Sequence, residues 1–273
     1  NANNNLLLFL KEKRRIEDIA IADLDKKFIE DYYNWMLGTC ALASSTAFCR
    51  VNTLKWLMYT AQERGWIKLH PFIGFDCLPE YKRRSFLTEE DLQRVIHVKL
   101  NYKRQRAIRD MFLFMCFTGL AYADLKEITY KNIHTDSEGG TWLMGNRIKT
   151  GVSYVVKLLP IAIELVERYK GENKKKSSPD KVFPVGEYQT MVSSLRVLTQ
   201  KCGCSTEITP HIGRHTFAVL AILKGMPLET LQKVLGHKSI LSTQIYAELI
   251  NPKVGEDTDK LCMKIGDVYR LTN

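Results

Sequence analysis

Apolar positions recur at helical spacing along most of the chain. Leu24, Phe28, Tyr32, Trp35 and Met36 mark one face of a helix that Gly38 suits to end. Phe48, Val51, Leu54, Met58 and Ala61 mark a second, closed by Gly65. Asp23 is placed to cap the first of these, and Ser44 or Ser45 the second. Ahead of both, Leu6 to Leu10 followed by Lys11, Lys13, Arg14 and Arg15 read as a short helix with a basic end. The aromatic residues of this segment read as core. Residues 1–80 therefore predict a small all-helical module.

The pattern breaks at Leu78-Pro79-Glu80-Tyr81-Lys82-Arg83-Arg84-Ser85, where a proline and clustered cations replace the periodicity, and a linker over 81–86 follows. Thr88-Glu89-Glu90-Asp91 then has the form of a capping box, opening a second domain over 87–273. Residues 106–117 predict an apolar helix running into Thr118-Gly119-Leu120-Ala121-Tyr122-Ala123-Asp124-Leu125. After Ile128 the period shifts toward two. Trp142-Leu143-Met144, Arg147-Ile148-Lys149 and Ser153 to Leu158 read as strand segments, with Arg147 and Lys149 alternating onto one face and Gly151 near the turn. Helical spacing returns over 161–170 and 187–201, after Pro227, and around Tyr246. Leu261, Ile265 and Val268 form a narrow apolar stripe in a tail helix. The fold class is mainly α with a small antiparallel β-sheet.

Composition adds an electrostatic constraint. The chain has 273 residues, 45% hydrophobic and 26% charged, and a formal net charge of +10. The excess of cations runs through both segments, which points to an anionic partner. The seven cysteines, odd in number and irregularly spaced, point to a reducing compartment. No apolar run reaches membrane-spanning length, and no segment reads as a signal peptide. The expectation is a cytoplasmic, nucleoid-associated protein with no membrane partner.

The candidate chemistry lies in Thr209-Pro210-His211-Ile212-Gly213-Arg214-His215. Thr209 suits an N-cap and Pro210 the first helical position. His211 and Arg214, three apart, leave one face of a helix near its N-terminus, where free N–H groups already attract anions. Leu235-Gly236-His237 and Tyr246 follow. This ordered set, with Arg214-His215-Thr216-Phe217-Ala218 and Thr243-x-x-Tyr246-Ala247, resembles the tyrosine recombinase (phage integrase) family. The resemblance is strongest over 209–250, fair over 118–150 and loose in the helical module.

The resemblance implies a SAM-like helical core-binding domain and an α+β catalytic domain that cut one strand of double-stranded DNA through a 3′-phosphotyrosine. Tyr246 would be the nucleophile, Arg214, His211 and His237 the phosphate donors, and Lys149 the general acid on the leaving 5′ oxygen. Asp124 would orient basic neighbours. The family's first catalytic arginine follows Gly-Leu, where this chain has Ala121, as in a Bacteroides-type integrase of a mobile element. Arg109 is the candidate substitute, ahead of Arg106 and Lys126. Arg50, Lys55, Arg83, Arg84 and Arg147 are candidate DNA contacts. A homotetramer on DNA, with the tail helix donated to a neighbouring subunit, is the implied assembly. No metal and no cofactor are implied. Two alternatives stay open: a DNA-binding module that kept the scaffold without efficient chemistry, and a type IB topoisomerase.

Overall fold

Apolar helical faces bury by facing one another, and the N-terminal segment does so. The computed structural model describes residues 2–79, 84–170 and 180–249. The chain divides into two units, residues 1–82 and 83–273. In the first, α1 (Ala2–Phe9) runs into a π-helical turn over Leu10–Arg14. The pair α2 (Lys26–Gly38) and α3 (Ser44–Glu63) completes its core. Phe9 meets Phe28 edge-on with ring centroids 5.3 Å apart and also packs on Tyr32 and Trp35. The α3 stripe faces inward at Val51, Leu54, Met58 and Ala61.

Several local expectations for this unit are corrected. Asp25, not Asp23, caps α2, its Oδ1 accepting from Phe28 N at 2.7 Å, while Asp23 closes a short 3₁₀ turn. No side chain caps α3, and Ser44 is already inside it. The aromatics are not all core: Trp56, Tyr59 and Trp66 stand exposed. Of the candidate DNA contacts, Arg50 is half-buried and donates to Asn5 Oδ1 at 2.9 Å, tying α3 to α1. Lys55 lies over the Phe72 ring, 5.9 Å from its centroid. Arg83 and the stripe of Leu261, Ile265 and Val268 lie outside the described residues.

In the second unit, α4 (Glu89–His97) opens on Thr88, whose Oγ1 accepts from Asp91 N at 3.1 Å. Only half of the expected box forms, because the Asp91 carboxylate turns instead to Arg94 and Ser205. α5 (Lys103–Thr118) is the axis of the unit. Met111, Phe112, Phe114, Met115 and Cys116 are all buried, so it is apolar on every side in its second half and must be surrounded. α7 (Pro160–Tyr169), α8 (Tyr188–Cys202) and α9 (Pro210–Leu223) pack against it. The short α6 (Tyr122–Glu127) follows α5, and α10 (Leu228–Leu235) and α11 (Leu241–Ala247) pack on α9.

The sheet is small and antiparallel, in the order β1 (Ile133–Thr135), β2 (Thr141–Asn146) and β3 (Ser153–Lys157). Leu143 opposes Val156, and both are buried against the helices. The predicted strand segment Arg147-Ile148-Lys149 is a turn instead. Arg147 N donates to Val152 O at 2.8 Å and Gly151 N to Arg147 O at 2.8 Å, which closes the loop directly after Asn146.

Gly119 ends α5 at φ +70, a conformation that costs an L-residue roughly 1–2 kcal/mol. A Cβ there would lie 2.6 Å from Phe217 Cδ1 and 2.7 Å from Leu235 Cδ2. Gly119→Ala is therefore expected to destabilise the unit by about 2–4 kcal/mol, read as a lower denaturation midpoint in urea.

Candidate active site

The N-terminus of α9 gathers the site. Thr209 is its N-cap, with Oγ1 accepting from Ile212 N at 3.4 Å, and Pro210 takes the first helical position. One turn in, Arg214 is 8% exposed. Its Nη2 donates to Leu235 O at 2.7 Å, and its Nη1 donates to Gly119 O. Leu235 is the last residue of α10, and Gly119 is the C-cap of α5. One guanidinium thus binds the partly negative carbonyl ends of two helices, which fixes its plane and leaves three of its five N–H donors for other partners. Burial, then the Arg147 charge, pushes its pKa down to about 10, so it stays cationic at neutral pH.

Tyr246, on α11, is 1% exposed. Its ring packs in an apolar cluster with Phe217, Leu231 and Leu235. Its hydroxyl points elsewhere: Oη lies 3.0 Å from His215 Nδ1. The His237 ring stacks on it at 6.5 Å and 8°. The Arg84 guanidinium sits 5.8 Å from the ring centroid, a cation–π distance. Arg84 is brought there because buried Leu87, three residues on, donates its N–H to Thr216 Oγ1 on α9 at 2.9 Å. His237 itself follows Gly236, the left-handed C-cap of α10, and its Nδ1 pairs with Thr243 Oγ1 at 2.8 Å.

Arg147 enters from the β2–β3 turn. Its Nη1 is 2.6 Å from Asp124 Oδ2, and Asp124 Oδ1 accepts from Ile148 N at 2.9 Å. The carboxylate thereby fixes both the arginine and the turn that carries it. The ion pair is close but off-line, so Nε and Nη1 of Arg147 are buried without a completed hydrogen bond. A Cβ on Gly236 would meet Arg147 Cγ at 2.7 Å, so glycine at that position is what lets the side chain through. The Arg147 charge is felt at His211, Arg214 and His237. Lys149, exposed on the same turn, is felt at His211, itself exposed one turn ahead of His215.

The candidate substitute for the first arginine needs correction. Arg109 donates to Asp110 Oδ1 from Nε at 3.0 Å and Nη2 at 2.8 Å, and to Val98 O. Arg168 and Tyr169 complete that buried carboxylate's shell. These partners hold Arg109 in the first half of α5, whereas Ala121 lies beyond its C-terminal end. Arg106 likewise donates to Leu100 O and Asn101 O, and Lys126 pairs with Glu187. Arg147, read from the sequence as a DNA contact, is instead the cation grouped with Arg214 and the imidazoles. His215 stands in the sequence motif without an assigned role. Its one signal was its position four residues after His211, which puts both rings on one helical face.

Three imidazoles crowded by cations resist protonation. Burial, then Arg84, His211 and Arg214, pushes His215 down to about 4. Burial, then Arg214, Arg147 and Arg84, pushes His237 to about 4 as well. Unfolded, both return to about 6.5 and bind more protons than the folded protein between those values. Stability contributed by these rings is therefore complete above pH 6.5 and lost as pH falls through 4. Melting temperatures measured across that window should fall steadily with acid, and less steeply in a His215→Gln/His237→Gln variant.

The Tyr246 hydroxyl thus bonds to His215 close to the Arg214 guanidinium, with the His237 ring parallel to the phenol and the Asp124 carboxylate spent on positioning Arg147. The chain belongs to the phage integrase family: the family model matches residues 85–251, and the phage integrase SAM-like domain matches residues 1–78. It is 32% identical over 176 residues to the tyrosine recombinase XerA of Saccharolobus solfataricus, covering 63% of this chain and 56% of that one. The fold resembles XerH recombinase bound to palindromic difH substrate in a post-cleavage complex (TM-score 0.74, 18% identity, 93% of this chain and 77% of that one). It also resembles the Tn1549 transposon integrase in complex with a circular intermediate DNA (TM-score 0.71, 19% identity, 95% and 92%).

Proposed function

We propose that the protein is a site-specific DNA recombinase that cuts and rejoins strands through a 3′-phosphotyrosine on Tyr246. The observation that carries this reading is the placement of the Tyr246 hydroxyl inside the Arg214–His215–His237 cluster, with Arg147 beside it. Oη attacks the scissile phosphorus, and the P–O5′ bond breaks. Arg214 and Arg147 take the charge that grows on the non-bridging oxygens, and His211 and His237 donate to the same oxygens. Lys149 gives the 5′ oxygen its proton. The buried Nε of Arg147, which has no hydrogen-bond partner, favours an anion: leaving such a group unpaired is costly, and a phosphate oxygen satisfies it.

Double-stranded DNA is the partner, with Arg84 and the other exposed cations near the site gripping its backbone. A synaptic tetramer acting through a Holliday junction, in the cytoplasm and on the nucleoid, is part of the same reading. Among the described residues no helix is long and apolar enough to cross a membrane. The likeness to a transposon integrase supports a mobile element as the setting.

The test works without a defined target sequence. A pool of randomised duplexes, each carrying one nick, traps a covalent adduct when the short 5′-hydroxyl fragment diffuses away. Adducts resistant to denaturing gels, enriched in particular sequences and lost in Tyr246→Phe, are expected. A binding module would shift DNA and leave no adduct. A topoisomerase would relax supercoiled plasmids with no enrichment.

A further inference from the structure

We infer that His215 is the general base for Tyr246, taking the phenolic proton on Nδ1 as Oη bonds to phosphorus. The inference rests on the reading of Tyr246 as the nucleophile. It is separate from the roles given above to His211 and His237.

The geometry distinguishes the three imidazoles. His215 Nδ1 is 3.0 Å from the Tyr246 Oη, with the rings 5.5 Å apart and tilted by 54°. That tilt and distance suit an in-plane hydrogen bond from the hydroxyl to a ring nitrogen. The His237 ring lies parallel to the phenol at 6.5 Å instead, and its Nδ1 is committed to Thr243 Oγ1 at 2.8 Å. His211 meets His215 edge-on at 6.1 Å and is exposed. Of the three, His215 alone has a hydrogen bond to the reacting atom.

The step balances without any added reactant. The hydroxyl proton passes to His215 Nδ1, the Nε2–H tautomer becoming an imidazolium. The Oη–P bond forms and the P–O5′ bond breaks, and the leaving oxygen takes a proton from Lys149. Religation runs both transfers backwards, returning the proton from His215 to the phenol.

The surroundings also set when the base works. His215 is neutral at rest, first because it is half-buried and then because Arg84, His211 and Arg214 oppose a positive charge on it. A phosphate monoanion seated on Arg147 and Arg214 offsets that field and strengthens the base. The nucleophile is thus activated once the backbone is in place. That spares a permanently ionised phenolate, which would bind the same guanidiniums and keep the phosphate out.

Replacing the nucleophile tests this. His215→Gln should slow single-turnover adduct formation by about 10²–10⁴-fold with the natural tyrosine. With 3,5-difluorotyrosine at position 246, which ionises near neutrality and needs no base, the same substitution should cost less than about 10-fold. A 5′-bridging phosphorothiolate, whose sulfur leaves unprotonated, should rescue Lys149→Ala and not His215→Gln. His215→Asn gives a second variant should the glutamine perturb folding, with melting temperature as the control. Undiminished cleavage by these variants overturns the inference. So does an equal loss with both tyrosines, or rescue by the phosphorothiolate. If the unsubstituted protein forms no adduct on any substrate, the reading of Tyr246 as nucleophile fails instead, and the inference with it.

Discussion

Arg147→Ala is expected to slow adduct formation by about 10²–10³-fold, the usual cost of removing one preorganised donor from a developing oxyanion. Arg109→Ala should leave that rate within about 3-fold while lowering stability. Both arginines pair with a buried aspartate, but with different ones. Arg147 spends Nη1 on Asp124 and keeps Nε without a hydrogen bond, with its charge felt at Arg214. Arg109 spends its donors on Asp110 and Val98 O. Truncating Arg147 also leaves Asp124 without its cation, and breaking a buried pair typically costs about 3–5 kcal/mol. Adding Asp124→Asn removes the stranded charge. The double variant Arg147→Ala/Asp124→Asn should therefore recover much of the stability and none of the rate, which separates catalysis from folding. Arg147→Lys, a point charge in place of a planar fork, should fall between. Single-turnover cleavage and urea denaturation of the four variants would decide the matter.

Arg214 should be the more damaging loss. Arg214→Ala removes a phosphate donor and strands the carbonyls of Gly119 and Leu235, each at the end of a helix. An unsatisfied buried acceptor costs roughly 1–3 kcal/mol, so the substitution should lower the melting temperature as well as cleave at least about 10³-fold more slowly. Arg214→Lys should restore some stability by reaching one carbonyl. It should not restore cleavage, because a single ammonium cannot hold two helix ends and a phosphate at once. A variant that keeps near-normal cleavage despite a lower melting temperature would mean that Arg214 is structural only.

Much of the fold was legible because its signals are local. Thr209-Pro210 marks a helix start through its own chemistry, and the α3 stripe is readable from spacing alone. The site was legible where sequence order carries it, in His211, Arg214, His237 and Tyr246. It was not legible where the chain folds back. Arg147-Ile148-Lys149 mimics a strand because an apolar residue sits between two cations. What makes it a turn is pairing of Arg147 with Val152 and Gly151 across the loop. That turn brings a guanidinium to the end of α10, a contact between residues some ninety positions apart that no periodicity encodes. Arg109 misled for the opposite reason, being close in sequence to the altered motif yet on a face of α5 that Asp110 and Arg168 occupy. Trp56, Tyr59 and Trp66 show the same limit: an aromatic side chain reads as core until its neighbours are known.

The central claim is that the phenolic oxygen of Tyr246 becomes bonded to DNA. The direct measurement is to digest the denatured adduct with trypsin and nuclease and to fragment the nucleotide-bearing peptide by mass spectrometry. A 3′-nucleotide joined through phosphate to Tyr246, in a peptide absent from the Tyr246→Phe protein, is the expected result. A nucleotide on any other residue, or DNA retained with no linked peptide at all, would contradict it.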